Sequence, residues 1–430
     1  MSPLPNRSGA RPANHTAELI FTGDELLRGD VVNTNQTYLG ERLLNLGLFP
    51  THALCVADDL SAIVSAIKDS LARLPMVLVL SGGLGPTQDD LTREAAAEAL
   101  GRPLEFHPEL LDQIRERFAS RGLVMSEVNR KQALLPRGAT ALPFRGTAPG
   151  FWLEEDPTLV VALPGVPWEL KEMWEKSVEP LLEDRSPGLE RTRVRRIRTF
   201  GLGESVIADL LSELDWRGPR VTIGTRAALD GVTVILRAKG GQEAEQQLDV
   251  LERRVVELLG ERVFSLGSET LPEVAGSLLR AQRRKVAVAE SCTGGLVGKR
   301  FTDVPGSSEY FLGGVISYDN RLKTEILGVP PKLLAAKGAV SEEVAAAMAE
   351  GVARLLGADC ALSTTGIAGP EGGSEEKPVG LVYVGCVVAG AIEVERLRLF
   401  GDREQIRERA AYSAIDLLRR RLQKQSGPRP

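Results

Sequence analysis

Residues 289–295, Ala-Glu-Ser-Cys-Thr-Gly-Gly, place a hydroxyl and a thiol directly after a short apolar run, Val286–Ala289. This pattern predicts a buried strand over residues 286–290 that leads through Ser291 and Cys292 into a helix. If strand geometry persists at Ser291 and Cys292, their side chains point to opposite sides, and only one of them faces the pocket. Ligands of open α/β sheets bind at the carboxyl ends of strands, so chemistry is expected here. A serine needs a base to remove its proton, and the usual base is histidine. No histidine follows His107, so the base is sought among Lys, Tyr, Asp and Glu.

Two further segments carry reactive side chains at predicted strand ends. Tyr318 ends a strand predicted over residues 314–318, and Lys323 lies in the helix predicted over 322–327. The polar residues 363–366 end another strand. A lysine acts as a general base when burial lowers its pKa, and a tyrosine placed between lysine and serine relays the proton. The alternatives are a solvated Lys323 on a helix surface and a half-buried strand aromatic at Tyr318.

A third candidate site is the loop Ser81–Asp90, which contains Gly82, Gly83 and Gly85. Glycines let backbone N–H groups approach a phosphate, and the next helix N-terminus adds partial positive charge. No P-loop lysine follows, so the loop is not a Walker A site. Asp89 and Asp90 offer hard oxygen ligands for a divalent cation that bridges phosphates. The alternative is that an aspartate here only caps the following helix.

The elements that position these residues alternate between strands and helices. The amino-terminal third reads as strands over 18–22, 52–56 and 76–80, each followed by a polar loop and a helix, with the second and third helices over 60–74 and 91–100. Alternation of this kind predicts a parallel sheet with both faces covered. The same alternation restarts at about Gly267 and ends in a long basic helix, Arg403–Lys424.

The segment between these two regions differs in composition. Five arginines lie within residues 191–198, and two strands over 221–225 and 232–238 predict a hairpin before a helix over 243–259. This indicates a small α+β module. Its arginines fit either a charged strand face or dimer contact, or a nucleic-acid surface. A GXXG loop, which grips nucleic-acid backbone in KH domains, does not occur between residues 190 and 262.

Composition narrows the class of protein. The chain has 430 residues, 43% of them hydrophobic, and a net charge of −5, which argues against a dominant nucleic-acid face. Four widely spaced cysteines contain no C-x-x-C pair, which favours a reducing cytoplasm. No apolar run reaches the roughly 18 residues of a membrane span, so no membrane crossing is expected. Residues 1–16 are rich in Pro, Asn and Arg and are expected to be a disordered extension.

The amino-terminal motifs closely resemble the molybdopterin-binding-like domain of the CinA family, the competence- and damage-inducible proteins. The motifs are residues 23–29 (Gly-Asp-Glu-Leu-Leu-x-Gly), 33–35 (Asn-Thr-Asn), Asp58-Asp59, the loop over 82–92 and Leu163–Pro167. The resemblance implies metal-dependent ADP-ribose pyrophosphatase activity with Mg²⁺ or a similar ion. The implied metal ligands are Asp89, Asp90, Glu25 and Asp58, and the implied substrate contacts are Gly82, Gly83, Gly85, Thr87 and Asn35. A plain molybdopterin-binding protein would share much of this pattern.

The carboxy-terminal motifs are similar in order and spacing to the CinA carboxy-terminal domain. They include residues 289–295, 305–308, 318–320, 338–341, 366–370, 375–380 and 400–403. The resemblance implies deamidation of nicotinamide mononucleotide without a cofactor, with Ser291, Tyr318 and Lys323 as the catalytic group. The implied substrate-binding residues are Gly294, Gly295, Ser308, Thr365, Gly366, Gly369 and Arg403. Arg403 is a plausible phosphate partner because its fork suits paired oxygens.

These inferences predict an α/β protein with two three-layer α/β domains joined by a small α+β module. This module resembles the KH-like domain that lies between the two ends of longer CinA proteins. The expected boundaries are 17–185 for the first domain, 190–262 for the module and 268–425 for the last domain. The expected function is a cytoplasmic, bifunctional enzyme acting on nicotinamide mononucleotide and ADP-ribose. A homodimer is implied by the resemblance only, and nucleic-acid binding is not expected. The rival hypotheses are a competence-linked nucleic-acid-binding scaffold and a protein of molybdenum-cofactor assembly.

Overall fold

The computed structural model of the protein describes residues 15–186, 188–218 and 220–425. The chain divides into two compact units, Met1–Arg193 with Lys239–Gln242, and Val194–Ala238 with Glu243–Pro430. The expected disordered extension, residues 1–16, lies outside the described residues except for its last two, and the first strand already begins at Thr16. None of the helices in the described ranges combines the length and apolar character that a membrane span requires.

The first unit is built on a six-stranded sheet. The strands of the whole unit are β1 (Thr16–Thr22), β2 (Phe49–Val56), β3 (Val77–Ser81), β4 (Leu104–Phe106), β5 (Leu134–Pro136), β6 (Thr140–Ala141), β7 (Phe151–Glu155) and β8 (Thr158–Leu163). Its helices are α1 (Asp24–Arg28), α2 (Thr34–Asn45), α3 (Leu60–Ala72), α4 (Thr92–Ala99), α5 (Pro108–Ser120), α6 (Pro167–Met173) and α7 (Glu179–Arg185). A 3₁₀-helix spans Glu127–Ala133, and a π-helix spans Trp174–Val178.

The strand order of the main sheet is β2-β1-β3-β8-β7-β6, and β4 pairs with β5 in a separate two-stranded sheet. Strands β1, β2, β3 and β8 are parallel, whereas β7 and β6 add an antiparallel edge. Every residue of β3 and β8 is buried, which requires cover on both faces of the sheet. The predicted parallel sheet is therefore confirmed, and the glycine loop after β3 lies at its carboxyl edge.

The middle module forms a four-stranded sheet in the order β10-β11-β9-β12. The strands are β9 (Thr192–Thr199), β10 (Val221–Ala228), β11 (Gly231–Lys239) and β12 (Val263–Ser265), and the helices are α8 (Glu204–Leu210) and α9 (Gln242–Leu259). A 3₁₀-helix spans Gly260–Arg262. The predicted hairpin is confirmed, because β10 and β11 pair antiparallel with Ala228 opposite Gly231.

The carboxy-terminal domain contains a five-stranded sheet in the order β14-β13-β15-β16-β17. The strands are β13 (Val286–Glu290), β14 (Phe311–Ile316), β15 (Cys360–Gly366), β16 (Leu381–Val388) and β17 (Ala391–Arg398). The helices are α10 (Leu271–Ala281), α11 (Leu296–Thr302), α12 (Asn320–Glu325), α13 (Pro331–Lys337), α14 (Glu342–Leu356) and α15 (Arg403–Gln425). A 3₁₀-helix spans Ser307–Glu309. Strands β13, β14 and β15 are parallel, so their carboxyl ends share one edge.

Alternate residues of β13 enter two different hydrophobic cores. Val286 and Val288 pack in a core that also contains residues of α10, α11 and α15. Ala287 and Ala289 pack in a second core with residues of α14. This alternation is the period-2 pattern of a strand covered on both faces, and it makes the domain three-layered. The predicted fold class is confirmed.

One local prediction is corrected by the structure. The strand expected to run to Tyr318 ends at Ile316, and Tyr318 lies beyond it with 60% of its surface exposed. At the start of α14, the Ser341 side chain does not cap the helix, and its hydroxyl donates to Gly338 O at 3.0 Å. The periodicity of the sequence therefore does not predict where the side chains at the end of β14 and the start of α14 lie.

A helical glycine gives a test of packing in this fold. Gly351 lies inside α14, where a Cβ would overlap the carbonyl oxygen of Leu327, whereas a Cβ on Gly40 in α2 would meet nothing within 4 Å. Alanine is favoured over glycine in a helix by about 1 kcal/mol. We expect Gly40→Ala to raise the free energy of unfolding and Gly351→Ala to lower it by roughly 1–3 kcal/mol through overpacking. Thermal unfolding of the two variants checks this, and stabilisation by Gly351→Ala would contradict the described packing.

Candidate functional site

The carboxyl edge of the second unit's large sheet opens into a cavity of about 270 Å³. Strand β13 ends at Glu290, so Ser291 is the first residue beyond it, and its amide donates to Thr364 O at 2.9 Å. The cavity brings together seven of the predicted site residues, which are Ser291, Tyr318, Lys323, Thr365, Gly366, Gly369 and Arg403. Side chains from four separate segments of the chain thus converge on one concave surface, which is the usual form of a small-molecule site.

Lys323 is the most unusual group in this cavity. Only 1% of its surface is exposed, and its Nζ donates to the backbone oxygens of Ser317 at 2.7 Å and Tyr318 at 3.2 Å. Burial lowers the pKa of Lys323 below its usual range, although the charge of Asp319 opposes this shift. A lysine in this environment more readily loses its proton and serves as a base. The solvated alternative for Lys323 does not describe its position.

Tyr318 and Arg403 both line the cavity and are hydrogen-bonded to each other. Arg403 donates to the Tyr318 hydroxyl oxygen at 3.0 Å and to Gly369 O at 2.6 Å. Because a guanidinium is only a donor, the Tyr318 hydroxyl accepts this bond and keeps its own proton for another acceptor. The pair therefore leaves Tyr318 able to donate a proton toward the cavity.

Cys292 also contributes to the cavity wall. The expectation that only one of Ser291 and Cys292 faces the pocket relied on strand geometry, and the strand stops before both residues. Cys292 nevertheless packs in the core with 7% of its surface exposed. Burial raises the pKa of its thiol to about 12. Such a thiol stays protonated near neutral pH and is a poor nucleophile.

The turn that carries Ser291 is closed by Glu290, a residue that sequence reasoning did not select. The Glu290 carboxylate is 1% exposed and accepts hydrogen bonds from the Thr293 hydroxyl at 2.6 Å and from the amide of Gly295 at 2.8 Å. It also accepts the amides of Val297 at 3.2 Å and Gly298 at 2.8 Å, at the start of α11. A carboxylate at a helix N-terminus satisfies amides that lack intrahelical partners.

The remaining predicted residues of this site have other positions. Gly294 and Gly295 lie in the turn at positive φ, 60° and 99°, and do not line the cavity. Ser308 lies in the 3₁₀-helix Ser307–Glu309, also outside the lining. Thr365 lines the cavity, but its hydroxyl donates to Ala339 O at 2.7 Å and so fixes the loop before α14. Asn320 and Glu371 line the cavity as well and were not predicted.

Another cavity, of about 540 Å³, lies in the first unit at the carboxyl edge of its main sheet. Seven predicted residues line it, which are Gly82, Gly83, Gly85, Asp89, Asp90, Glu25 and Asp58. Thr87 and Asn35 do not line it. Asn35 instead lies buried behind the wall, where its Nδ2 donates to Gly165 O at 2.7 Å and to Ser81 Oγ at 3.3 Å.

The glycine loop of this cavity is held from several sides. The Asp90 carboxylate accepts the Thr87 amide at 2.8 Å and the Thr87 hydroxyl, so it is engaged within the loop. Lys131 donates to Thr87 O at 2.7 Å and to Asp90 O at 2.8 Å. The fully buried Arg93 donates to Leu84 O, and burial lowers the pKa of its guanidinium to about 10. These contacts fix the loop backbone in one shape.

Two of the carboxylates around this cavity, Asp58 and Glu169, have a raised pKa. Burial raises the pKa of Asp58, and the charges of Glu25 and Asp89 raise it further. Burial also raises the pKa of Glu169, whose Oε2 is buried and has no hydrogen-bond partner within the described part of the chain. This concentration of hard oxygen ligands suits a divalent cation. No group of three or more His, Cys, Asp or Glu side chains among the described residues is arranged to hold a metal by itself.

The arginines of the middle module face acidic partners. Arg195 pairs with Glu245 at 3.1 Å and Asp249 at 3.4 Å on α9, and Arg198 pairs with Asp230. Arg198 also donates to the backbone oxygens of residues 268 and 269. Charges that are paired in this way are less available to phosphates, which favours the charged strand face over a nucleic-acid surface.

Three family models match the chain. They describe a probable molybdopterin binding domain over residues 18–184, the KH domain of damage-inducible protein CinA over 194–265, and a CinA C-terminal domain over 268–422. Together they account for nearly all of the described chain.

Proteins similar to this chain over nearly its whole length carry related names. A putative competence-damage inducible protein of Symbiobacterium thermophilum is 45% identical, with 94% of this chain and 98% of that protein covered. A protein of the same name from Moorella thermoacetica is 44% identical, with 95% and 99% covered. The crystal structure of a protein CinA with unknown function from Thermoplasma acidophilum is 32% identical, covering 39% of this chain and 98% of that chain, with a TM-score of 0.37.

The contrast between buried and exposed cysteines generates a prediction. Near pH 8, iodoacetamide should alkylate the exposed Cys55 readily and Cys292 roughly a hundredfold or more slowly, because the thiolate is the reacting species and burial disfavours it at Cys292. Peptide mass spectrometry resolves the two sites within one sample. Equal alkylation rates would contradict the buried environment of Cys292.

Proposed function

We propose a function for this chain on the basis of its family, because the chain belongs to the CinA family of competence- and damage-inducible proteins. The proposed function of its carboxy-terminal domain is the deamidation of nicotinamide mononucleotide. The observation that supports this most directly is the burial of Lys323 in the same cavity wall as Ser291 and Tyr318. A neutral lysine replaces the histidine that this part of the chain lacks. The products are nicotinate mononucleotide and ammonia.

The proposed reaction has two steps. Neutral Lys323, with Tyr318 as a proton relay, takes the Ser291 proton while Ser291 Oγ bonds to the carboxamide carbon. The C–N bond then breaks, the returned proton leaves with ammonia, and an ester joins Ser291 to the nicotinate group. Water activated by the same base cleaves this ester and restores the serine hydroxyl. Amide hydrolysis by this route needs no metal or other cofactor.

We assign Arg403 to the phosphate group of the substrate because of the chemistry of its side chain. Arg403 has guanidinium N–H groups beyond the two that bind Tyr318 and Gly369, and these are suited to a phosphate. Gly294, Gly295 and Ser308 remain proposed substrate-binding residues, although they do not line the cavity. The predicted homodimer and cytoplasmic location likewise belong to this proposal.

We further propose that the first unit hydrolyses ADP-ribose to AMP and ribose 5-phosphate with a divalent metal. The glycine loop would receive the pyrophosphate, and Glu25, Asp58 and Asp89 would hold the ion, with Asp90 ordering the loop beside it. Because these carboxylates do not converge on one point, phosphate oxygens and water would complete the coordination, as is usual for Mg²⁺. The bound ion would stabilise negative charge on the phosphates. Molybdenum-cofactor assembly through the same loop is the rival hypothesis.

Substitutions in the deamidase site distinguish a serine mechanism from a thiol mechanism. Ser291→Ala and Lys323→Ala should each lower kcat for ammonia release roughly 10²-fold or more, the scale of losing a nucleophile or base. Cys292→Ala should keep most activity, and so should Lys299→Ala, which removes an exposed lysine outside the cavity. Ammonia release from nicotinamide mononucleotide checks this. Loss of activity in Cys292→Ala with retention in Ser291→Ala would replace the serine mechanism with a thiol mechanism.

The pH dependence of deamidation has a definite sign. Lys323 must be neutral to act, so the rate should rise with pH through one group and level off above the lysine's pKa. Burial places that pKa below the ordinary value of about 10.4. Initial rates at saturating substrate across this range check the prediction. A rate that falls as the pH rises would exclude a lysine base.

The pyrophosphatase prediction rests on the carboxylates. Release of AMP from ADP-ribose should require added divalent metal and should fall roughly 10²-fold or more in Asp89→Asn and in Asp58→Asn, since each change removes a proposed metal ligand. Asp112→Asn, an exposed aspartate paired with Arg115 elsewhere in the unit, is the matched control. Deamidation should survive all three changes. Metal-independent AMP release would refute the proposed site.

A further inference from the structure

The turn over residues 291–295 is held by side chains that take no part in the proposed chemistry. Thr293 is fully buried, and its Oγ1 lies 2.6 Å from Thr364 Oγ1 as well as 2.6 Å from the Glu290 carboxylate. The Thr293 hydroxyl donates its single proton to the Glu290 carboxylate, so it can only accept from Thr364. Thr364 donates to Thr293, and Thr293 donates to Glu290. This chain of bonds joins the end of β13 to β15, whose next residue, Thr365, lines the cavity.

A second side chain, Arg407, holds the turn by donating hydrogen bonds where Glu290 accepts them. Arg407, in the first turns of α15, donates from Nε to Cys292 O at 3.2 Å and from Nη2 to Thr293 O at 2.7 Å. Glu290 thus accepts the N–H and O–H donors of the turn, while Arg407 supplies donors to two of its carbonyl oxygens. The residues between Glu290 and its last partner, Gly298, form a closed loop around one carboxylate.

We propose that Glu290 and Arg407 form a two-sided clamp that fixes the turn over 291–295 and thereby positions the Ser291 hydroxyl for attack. This inference rests on the proposed deamidase function. Both are positioning residues, since neither lines the cavity. The clamp also holds Cys292, a residue that packs in the core, because Arg407 donates to its carbonyl oxygen.

A helix cap alone does not account for these contacts. A capping side chain normally comes from the residue at the helix start and satisfies one or two amides. Glu290 comes from the preceding strand, binds three amides and a hydroxyl, and encloses the whole turn that carries Ser291. Gly295, the residue at the helix start, has φ 99° and no capping side chain, so the shape of the turn depends on Glu290.

The test is the isosteric variant Glu290→Gln in the full-length protein. The new amide NH₂ would face N–H donors in place of an acceptor, so the turn should loosen without a change in volume. We expect kcat for ammonia release to fall roughly 10- to 100-fold with KM changed less than about threefold. We also expect iodoacetamide to alkylate Cys292 at least about tenfold faster than in the wild type, since local opening exposes the thiol.

A matched control separates positioning from loss of a buried charge. Asp416 is 2% exposed and pairs with Arg419 at 2.6 Å and Arg420 at 2.8 Å, away from the cavity lining. Asp416→Asn should therefore lower stability while leaving kcat and the Cys292 alkylation rate as in the wild type. Thr293→Val, which removes only the hydroxyl link, should shift both readouts in the same direction as Glu290→Gln by a smaller factor.

The outcomes distinguish the clamp from the proposed function. Wild-type kcat and wild-type alkylation of Cys292 in folded Glu290→Gln would overturn the clamp. If that variant does not fold, the same two readouts in Thr293→Val decide. If the wild type deamidates no nicotinamide nucleotide, the proposed function fails, and the alkylation rates alone then support or refute the clamp.

Discussion

The desolvation of one lysine is the constraint on which the carboxy-terminal domain depends. Lys323 sits almost fully buried, and this burial disfavours its charged form. Its Nζ donates hydrogen bonds to two backbone carbonyl oxygens. Keeping an ammonium group in such a place costs stability, which a purely structural lysine would avoid by reaching solvent. Lys323 lines the same cavity as Ser291 and Tyr318, where a lysine with a lowered pKa can serve as a base.

Both α/β domains apply the same device, a parallel strand that ends in a glycine-containing turn at the carboxyl edge of its sheet. After β3 the turn is supported by Arg93, Lys131 and the Asp90 carboxylate. After β13 it is held by Glu290 and Arg407. In each domain a charged side chain satisfies backbone groups of the turn, so backbone and hydroxyl groups reach the cavity in a fixed geometry. The two cavities differ in lining, with carboxylates around one and a lysine, a tyrosine and an arginine around the other.

The sequence was informative where the signal is local. Strand β13 has the predicted bounds, 286–290, and the parallel order of the first sheet follows from the alternation of apolar runs and helices. Contacts between distant residues were out of reach. Arg407 is 115 residues from Cys292, and Arg403 is 85 residues from Tyr318. The acidic partners of Arg195 lie on a helix that follows a hairpin. Glu290 had a weak signal, an acidic residue ending a buried strand before a turn of small residues.

The central claim is that Ser291, activated by a buried lysine, attacks a nicotinamide nucleotide. The most direct measurement is rapid quenching of the enzyme in acid during turnover of nicotinamide mononucleotide, followed by peptide mass spectrometry. The account predicts a transient nicotinate mononucleotide ester on the peptide that contains Ser291, located at the serine and absent in Lys323→Ala. An adduct on Cys292, or turnover without any covalent adduct on this peptide, would contradict the account.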